Sequence, residues 1–150
     1  MQEFYGTKRI NAKPMTRAEY NIFRGWELPS NENGDDTGYL VEYLDGGKPN
    51  VEGFTGYVSW SPSEQFEKAY QPNTALSFGH ALVALQEGKR VARAGWNGKG
   101  MWLFWVEAWN CQEERYSNCP FTAMKTSDNK IVPWLCSLTD MAANDWQIVE

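Results

Sequence analysis

The sequence has one histidine, three cysteines and no long apolar run, and each shortage excludes a class of protein. With His80 as the sole imidazole and no cysteine pair at metal-ligand spacing, no metal site is predicted. The longest apolar run, Met101–Val106, is far too short to cross a bilayer, and no secretory signal opens the chain. Cys111, Cys119 and Cys136 indicate free, buried thiols in a reducing compartment. We therefore expect a cytosolic protein without cofactor or membrane span.

A basic excess is also missing. The net charge is -5, which argues against binding to a nucleic acid polymer, because that needs a basic face to neutralise phosphates. Residues 1–75 hold seven Lys or Arg against eleven Asp or Glu, whereas residues 76–150 hold seven against eight. No acid lies between Gly88 and Val106, a stretch with four cations: Lys89, Arg90, Arg93 and Lys99. Such a cluster suits one small anion.

Aromatic residues are abundant, at 15% of the chain with eight Trp. Large flat side chains fill cores and interfaces, and they also stack on planar ligands. Core and interface packing is the default interpretation for most of them.

The first half combines helix and strand patterns. Thr16 to Glu19 forms a capping box that predicts a helix ending near Arg24-Gly25. Residues 31–38 form a polar loop that lacks the closing glutamate of a calcium site, so a solvated turn is expected. Strands are predicted at 38–43 and 56–60. A second capping box, Ser61 to Glu64, predicts a helix to about Tyr70.

The second half opens with an amphipathic helix that Ser77 can cap and Gly88 ends. Strands are predicted at 90–95 and 101–107, joined by a tight hairpin at Asn97-Gly98. A second hairpin is predicted to turn at 127–129. Thr139 is expected to cap a last short helix, and Trp146 begins a closing strand.

These patterns predict an α+β fold in which short helices pack on small antiparallel sheets in two small halves. The segment 71–74 marks the boundary. We therefore expect two domains, residues 1–73 and 74–150.

Enzyme motifs are sparse, with no phosphate-binding glycine loop and no nucleophile elbow. His80 fits a packing or capping role. Asp140 and Asp145 flank the last short helix and could form an acid–base pair, but no nucleophile accompanies them in the sequence. No catalytic residue is predicted.

The stretch from Arg90 to Trp102 is the candidate ligand site. Trp96 precedes an exposed turn with Lys99 at its tip, and a tryptophan beside cations and glycine amides suits a stacked base and a pyrophosphate. An ordinary hairpin with a core tryptophan explains the same residues equally well. Residue types alone leave both interpretations open.

Further motifs follow in order and give a family resemblance. They are Gly-Trp-Asn-Gly-Lys-Gly at 95–100, Met-Lys-Thr at 124–126, Val-Pro-Trp-Leu at 132–135, Thr-Asp-Met at 139–141 and Asp-Trp-Gln-Ile-Val at 145–149. Residues 76–150 resemble the phage Thoeris anti-defence proteins of the second type. Residues 1–73 and an insert around Glu107–Pro120, with Trp105, Trp109, Cys111 and Cys119, depart from the short family members. The front segment resembles small phage proteins to which we attach no activity.

The resemblance implies a nucleotide sponge in the cytoplasm of the infected bacterial host. Such a protein sequesters a cyclic ADP-ribose derivative, or a cyclic dinucleotide, without cleaving it, and forms a homo-oligomer, a dimer or tetramer, with shared pockets. By motif position, Trp96 and Trp134 are implied as stacking residues. The implied polar contacts are Arg93, Asn97, Lys99, Thr139 and Asp140.

Two other classes of protein remain open. The aromatic residues could instead form a surface that binds a host protein. The third hypothesis is an enzyme that degrades the nucleotide signal. Recovery of intact ligand after denaturation distinguishes a sponge from such an enzyme.

Overall fold

The computed structural model describes residues 1–97, 99–107 and 119–150. The chain divides into two compact units, residues 1–70 and 71–150. Each unit combines one antiparallel sheet with short helices, which confirms the predicted α+β class. Gly98 of the predicted hairpin, and Trp109 and Cys111 of the insert, lie outside the described residues. No helix within the described ranges is long and apolar enough to span a membrane.

The first unit is a three-stranded sheet with two helices. Its elements are β1 (Ile10–Pro14), α1 (Arg17–Arg24), β2 (Gly38–Tyr43), β3 (Val58–Pro62) and α2 (Ser63–Ala69). The sheet order is β1-β2-β3, and both pairs are antiparallel. Its core contains Tyr20, Leu40 and Val58.

The start and end of α1 confirm the sequence prediction. Thr16 Oγ1 accepts from the Glu19 amide at 3.2 Å, and Glu19 Oε2 accepts from the Thr16 amide at 2.7 Å. Gly25 ends the helix at a φ of 68°, in the left-handed region that glycine adopts without strain.

The predicted second capping box is wrong. Ser61 lies within β3, paired with Tyr39, and Pro62 is the cap of α2 without a side-chain hydrogen bond to the helix. Because the strand runs directly into the helix, Ser61 keeps an extended, sheet-paired backbone. The strand itself begins at Val58, two residues later than predicted.

The second unit is a five-stranded antiparallel sheet with two helices. Its elements are α3 (Phe78–Gln86), β4 (Arg90–Arg93), β5 (Trp102–Val106), β6 (Phe121–Lys125), β7 (Ile131–Pro133), α4 (Leu138–Met141) and β8 (Trp146–Val149). The sheet order is β7-β6-β5-β4-β8. The sequence placed the boundary after residue 73, and the Asn73 carbonyl accepts from the Ile148 amide at 2.9 Å, so this residue packs with the second unit.

Trp146 is the centre of the second core. Its side chain is fully buried, together with those of Leu85, Val91 and Leu103. The Trp146 backbone also exchanges two hydrogen bonds with Leu76, at 2.7 and 3.1 Å. Trp146, the first residue of β8, therefore connects the start of this unit to its last strand.

The connection between β4 and β5 corrects a prediction. The strands are antiparallel neighbours, but β4 ends at Arg93 and β5 begins at Trp102, a wider separation in sequence than a tight hairpin has. The amides of Ala94 and Gly95 bond to Asp145, at 3.0 and 2.8 Å. Because these bonds hold Ala94 and Gly95 next to β8, strand β4 does not continue past Arg93.

Two further details differ from expectation. Ser137, rather than Thr139, caps α4, because its hydroxyl accepts from the Asp140 amide at 3.1 Å and the helix already begins at Leu138. Both described cysteines are free, but Cys119 is exposed and Cys136 only partly buried, so the expectation of buried thiols is wrong for Cys119.

The predicted hairpin of β6 and β7 is confirmed, with Asn129 at a φ of 63° in its turn.

Candidate functional site

Arg93 lies between two carboxylates. Its Nη1 donates to Asp140 Oδ1 at 2.8 Å, and its Nε donates to Asp145 Oδ1 at 2.8 Å. Arg93 ends β4, Asp140 lies in α4, and Asp145 directly precedes β8. One guanidinium therefore joins three elements that are far apart in sequence.

The ion pairs keep both acids charged. Burial pushes the pKa of Asp140 upward, but hydrogen bonds from Arg93, Ser137 and Trp96 outweigh it and hold that pKa below its usual value. The bond from Arg93 likewise lowers the pKa of Asp145, against a smaller opposing effect of burial. The bonds to Asp145 and Asp140 raise the pKa of Arg93. Both carboxylates are therefore ionised at neutral pH, which is unfavourable for a general acid.

Trp96 is attached to this network by its indole. Its Nε1 donates to Asp140 Oδ1 at 3.3 Å, the same oxygen that Arg93 contacts. Its ring meets Trp146 edge-on, with centroids 5.5 Å apart and planes at 77°. Trp96 is half-buried and packs against the core of the second unit.

Trp134 packs on the same central ring. Its centroid is 6.0 Å from that of Trp146, with planes at 83°, and 6.3 Å from that of Phe78. Like Trp96, it is half-buried at the margin of the core. The structure thus places the two sequence-predicted stacking residues against one shared tryptophan.

The remaining sequence-predicted residues are exposed. Asn97 and Lys99 lie in the connection after Trp96, and Thr139 lies on α4. The Thr139 hydroxyl is 2.9 Å from that of Ser137. Asn97 follows Trp96 directly, Lys99 comes shortly after it in sequence, and both are exposed.

Sequence reasoning missed Ser137 and the structural role of Asp145. Ser137 Oγ donates to Asp140 Oδ2 at 2.7 Å and also accepts from the Asp140 amide. A serine just before a predicted helix is a capping signal that could have identified it. The link from Asp145 to Gly95 spans 50 residues and leaves no local signal in the sequence.

His80 lies apart from this network. Its Nδ1 is 2.8 Å from Ser77 Oγ, at the start of α3. Ser77 occupies the predicted cap position of α3, but its hydroxyl contacts the histidine and makes no side-chain cap bond to the helix amides. No cluster of potential metal ligands occurs among the residues that the structure describes.

Fold and site together define a small α+β protein whose second unit is organised around a buried tryptophan and an ion-paired arginine. Residues 76–149 match the Tad2-like family model, described as a Thoeris anti-defense 2-like domain. A relative named Thoeris anti-defense 2, from Bacillus phage SP01, is 42% identical over an alignment of 86 residues, and the match covers 51% of this chain and 97% of the relative. The chain belongs to the Thoeris anti-defense 2 family.

This membership confirms the resemblance that the sequence motifs indicated, and it supports a phage role against Thoeris defence. The family match lies within the second unit and begins five residues after the start of that unit. The first unit lies outside the match.

Proposed function

We propose that this protein is a sponge for a cyclic nucleotide immune signal in the cytoplasm of the infected host. It binds a cyclic ADP-ribose derivative, or a cyclic dinucleotide, and releases it unchanged, so that the effector of the defence system stays inactive. The observation that carries the proposal is the pair of half-buried tryptophans, Trp96 and Trp134, against Trp146.

Stacking is the energetic basis. A base on an aromatic side chain contributes about 1–3 kcal/mol. Trp96 is held by its bond to Asp140, and Trp134 by contact with Phe78 and Trp146, so little conformational entropy is lost when a base stacks on either ring. Lys99 is exposed in the adjoining connection, where its ammonium can pair with a phosphate.

The absence of cleavage is part of the proposal. Asp140, which contacts Trp96, and Asp145 are both ionised and bound to Arg93, so neither can serve as a proton donor near neutral pH. These ion pairs support a binding role for the cluster.

We also propose that the protein assembles into a dimer or tetramer. Residues 131–141, which we call the apolar segment, carry several exposed large hydrophobic side chains. These are Ile131, Val132, Leu135, Leu138 and Met141. Leu135 and Leu138 are 92% and 84% exposed, a state that burial against a second copy would relieve. The same surface favours the second candidate function, binding to a host protein.

Recovery of ligand tests the function directly. Protein mixed with a cyclic ADP-ribose made by a TIR-domain enzyme should deplete it from solution. Heat denaturation should then return the intact molecule, identified by mass spectrometry. Linear ADP-ribose in the released fraction would instead demonstrate an enzyme. If the protein depletes neither that molecule nor any member of a panel of cyclic dinucleotides, the alternative function, binding to a host protein, is favoured.

A further inference from the structure

The first unit carries a cavity of its own, with a volume of about 470 Å³. It lies outside the residues matched by the family model. Its lining is formed by Thr7, Lys8, Tyr43, Asp45, Gly46, Gly47 and Tyr57. Two aromatic rings, one ammonium and one carboxylate therefore face a shared space.

The aromatic side of this cavity is fixed by the sheet. Tyr43 ends β2, and its amide donates to the Tyr57 carbonyl at 3.0 Å. The two rings are 6.4 Å apart, with planes at 37°. Gly47 has a φ of 90°, and a Cβ there would approach the Tyr57 Cβ to 2.9 Å, so the loop backbone packs directly on this tyrosine. The pair is preorganised for a ligand.

An ammonium group already occupies one ring face. Lys8 Nζ lies 4.7 Å from the centroid of Tyr43, within the range of a cation–π interaction. Lys8 belongs to the segment 1–9, which has no helix or strand. The Arg9 backbone anchors the end of that segment, through its amide to Asp45 Oδ2 at 3.1 Å and its carbonyl to the Leu44 amide at 3.0 Å. The lysine side chain can therefore leave the ring without disturbing the sheet.

The charges favour a cationic ligand over an anionic one. Once Lys8 leaves, Asp45 is the charged group among the lining residues, so an incoming cation gains a carboxylate whereas an anion is repelled. The first 75 residues carry a net charge of -4, from seven basic and eleven acidic side chains, which attracts cations to this unit. Aromatic rings are a recurrent feature of sites that bind quaternary ammonium ligands, and a carboxylate adds a favourable charge interaction.

We propose that this cavity binds a small organic cation with an ammonium group, which displaces Lys8 from the face of Tyr43. The lysine acts as an internal competitor that lowers the affinity of the empty site for weak ligands. This binding is independent of nucleotide capture by the second unit.

Choline is the probe, and its neutral isostere 3,3-dimethylbutan-1-ol is the matched control. Titration of the full chain, followed by amide NMR shifts at low salt, should show choline binding and no response to the isostere. Lys8→Met keeps the length of the stem without its charge, and it should tighten choline binding several-fold. Tyr43→Leu should weaken binding by about 3- to 30-fold, the span of cation–π energies, while Tyr43→Phe retains it.

The Lys8→Met variant tests whether the cavity prefers a cation or an anion. If Lys8→Met weakens choline binding, or if the isostere binds equally well, the cation site is refuted. Binding of inorganic phosphate that Lys8→Met abolishes would also overturn it. Circular dichroism melting of each variant checks that the protein is folded. Ile22→Ala, at an exposed position of α1, is a control that should leave choline binding unchanged.

Discussion

The Arg93 guanidinium donates to the Asp140 carboxylate at 2.8 Å, and the two residues are 47 positions apart in sequence. Their side chains are only 20% and 12% exposed, so the pair is well shielded from solvent. Trp96 shares the same carboxylate oxygen. The orientation of Trp96, the candidate stacking residue, therefore depends on this ion pair. Direct contact of Arg93 and Asp140 with a ligand stays a prediction, and a phosphate would have to compete with two carboxylates for Arg93.

We expect Asp140→Ala to lower the free energy of unfolding by about 2–3 kcal/mol, because hydrogen bonds to charged groups contribute about 1.5–3 kcal/mol each. Urea denaturation measures this change. Asp128→Ala is the matched control, because Asp128 pairs with Lys130 at 2.8 Å on an exposed surface. That surface pair should contribute less than about 1 kcal/mol. Equal effects of the two substitutions would show that the Arg93 network does not stabilise the fold.

The acid response of the second unit should depend on the same carboxylates. The pKa of Asp140 and that of Asp145 are lower in the folded protein than in the unfolded chain, so the folded state holds these groups charged. Their stabilisation is complete above the unfolded pKa of about 3.9 and is lost as the pH falls through the lower folded pKa. Unfolding measured between about pH 5 and about pH 2 should show a smaller pH dependence in Asp140→Asn than in the wild type. An unchanged slope would mean that Asp140 does not carry the acid sensitivity.

Substitution of the two tryptophans by phenylalanine should separate binding from folding. Both indoles pack on Trp146, so alanine would remove core contacts together with any stacking surface. Trp96→Phe and Trp134→Phe keep a ring at the core, and each should weaken nucleotide binding by up to about tenfold, through loss of part of ~1–3 kcal/mol of stacking. Affinity and ligand-free melting temperature are measured together.

Lys99→Ala completes this comparison, because an exposed side chain contributes little to folding while its charge matters to a phosphate. It should lower affinity and leave melting unchanged. If the tryptophan variants melt early and Lys99→Ala binds normally, the ligand site lies elsewhere.

Residues 71–150 expressed alone should fold and bind nucleotide. They contain the complete five-stranded sheet and its core. The cut must precede Gln71, because Gln71 Oε1 accepts from the Ser77 amide at 2.6 Å at the start of α3. Amide dispersion by NMR and a binding titration test the fragment. A folded fragment that has lost binding would show that residues 1–70 contribute to the site.

The apolar segment should control assembly. Leu135→Glu combined with Leu138→Glu places two charges on a surface that we expect to be buried between copies, and it should yield monomers by light scattering. Ile22→Glu, 78% exposed on α1 of the other unit, is the matched control and should remain oligomeric. A wild-type protein that is monomeric at micromolar concentration and binds nucleotide fully would refute the shared-pocket proposal.

Local rules in the sequence determined much of the secondary structure. The capping box at Thr16, the glycine that ends α1 and the turn at Asn129 depend on interactions within a few residues, so each was predictable. The α+β class followed from the same short patterns. The family was also readable from the sequence, because its motifs keep their order along residues 76–149.

The tertiary structure decided what those patterns left open. Ser61 could begin a helix or end a strand, and its pairing with Tyr39, 22 residues earlier, selected the strand. The Asn97-Gly98 dipeptide favoured a tight hairpin, but Asp145, which follows β4 by more than 50 residues, holds Ala94 and Gly95 toward β8. Local propensities differ by about 1 kcal/mol or less per residue, whereas a charge-assisted hydrogen bond contributes about 1.5–3 kcal/mol. Contacts between distant residues therefore override local preference, and only the folded chain shows which of them form.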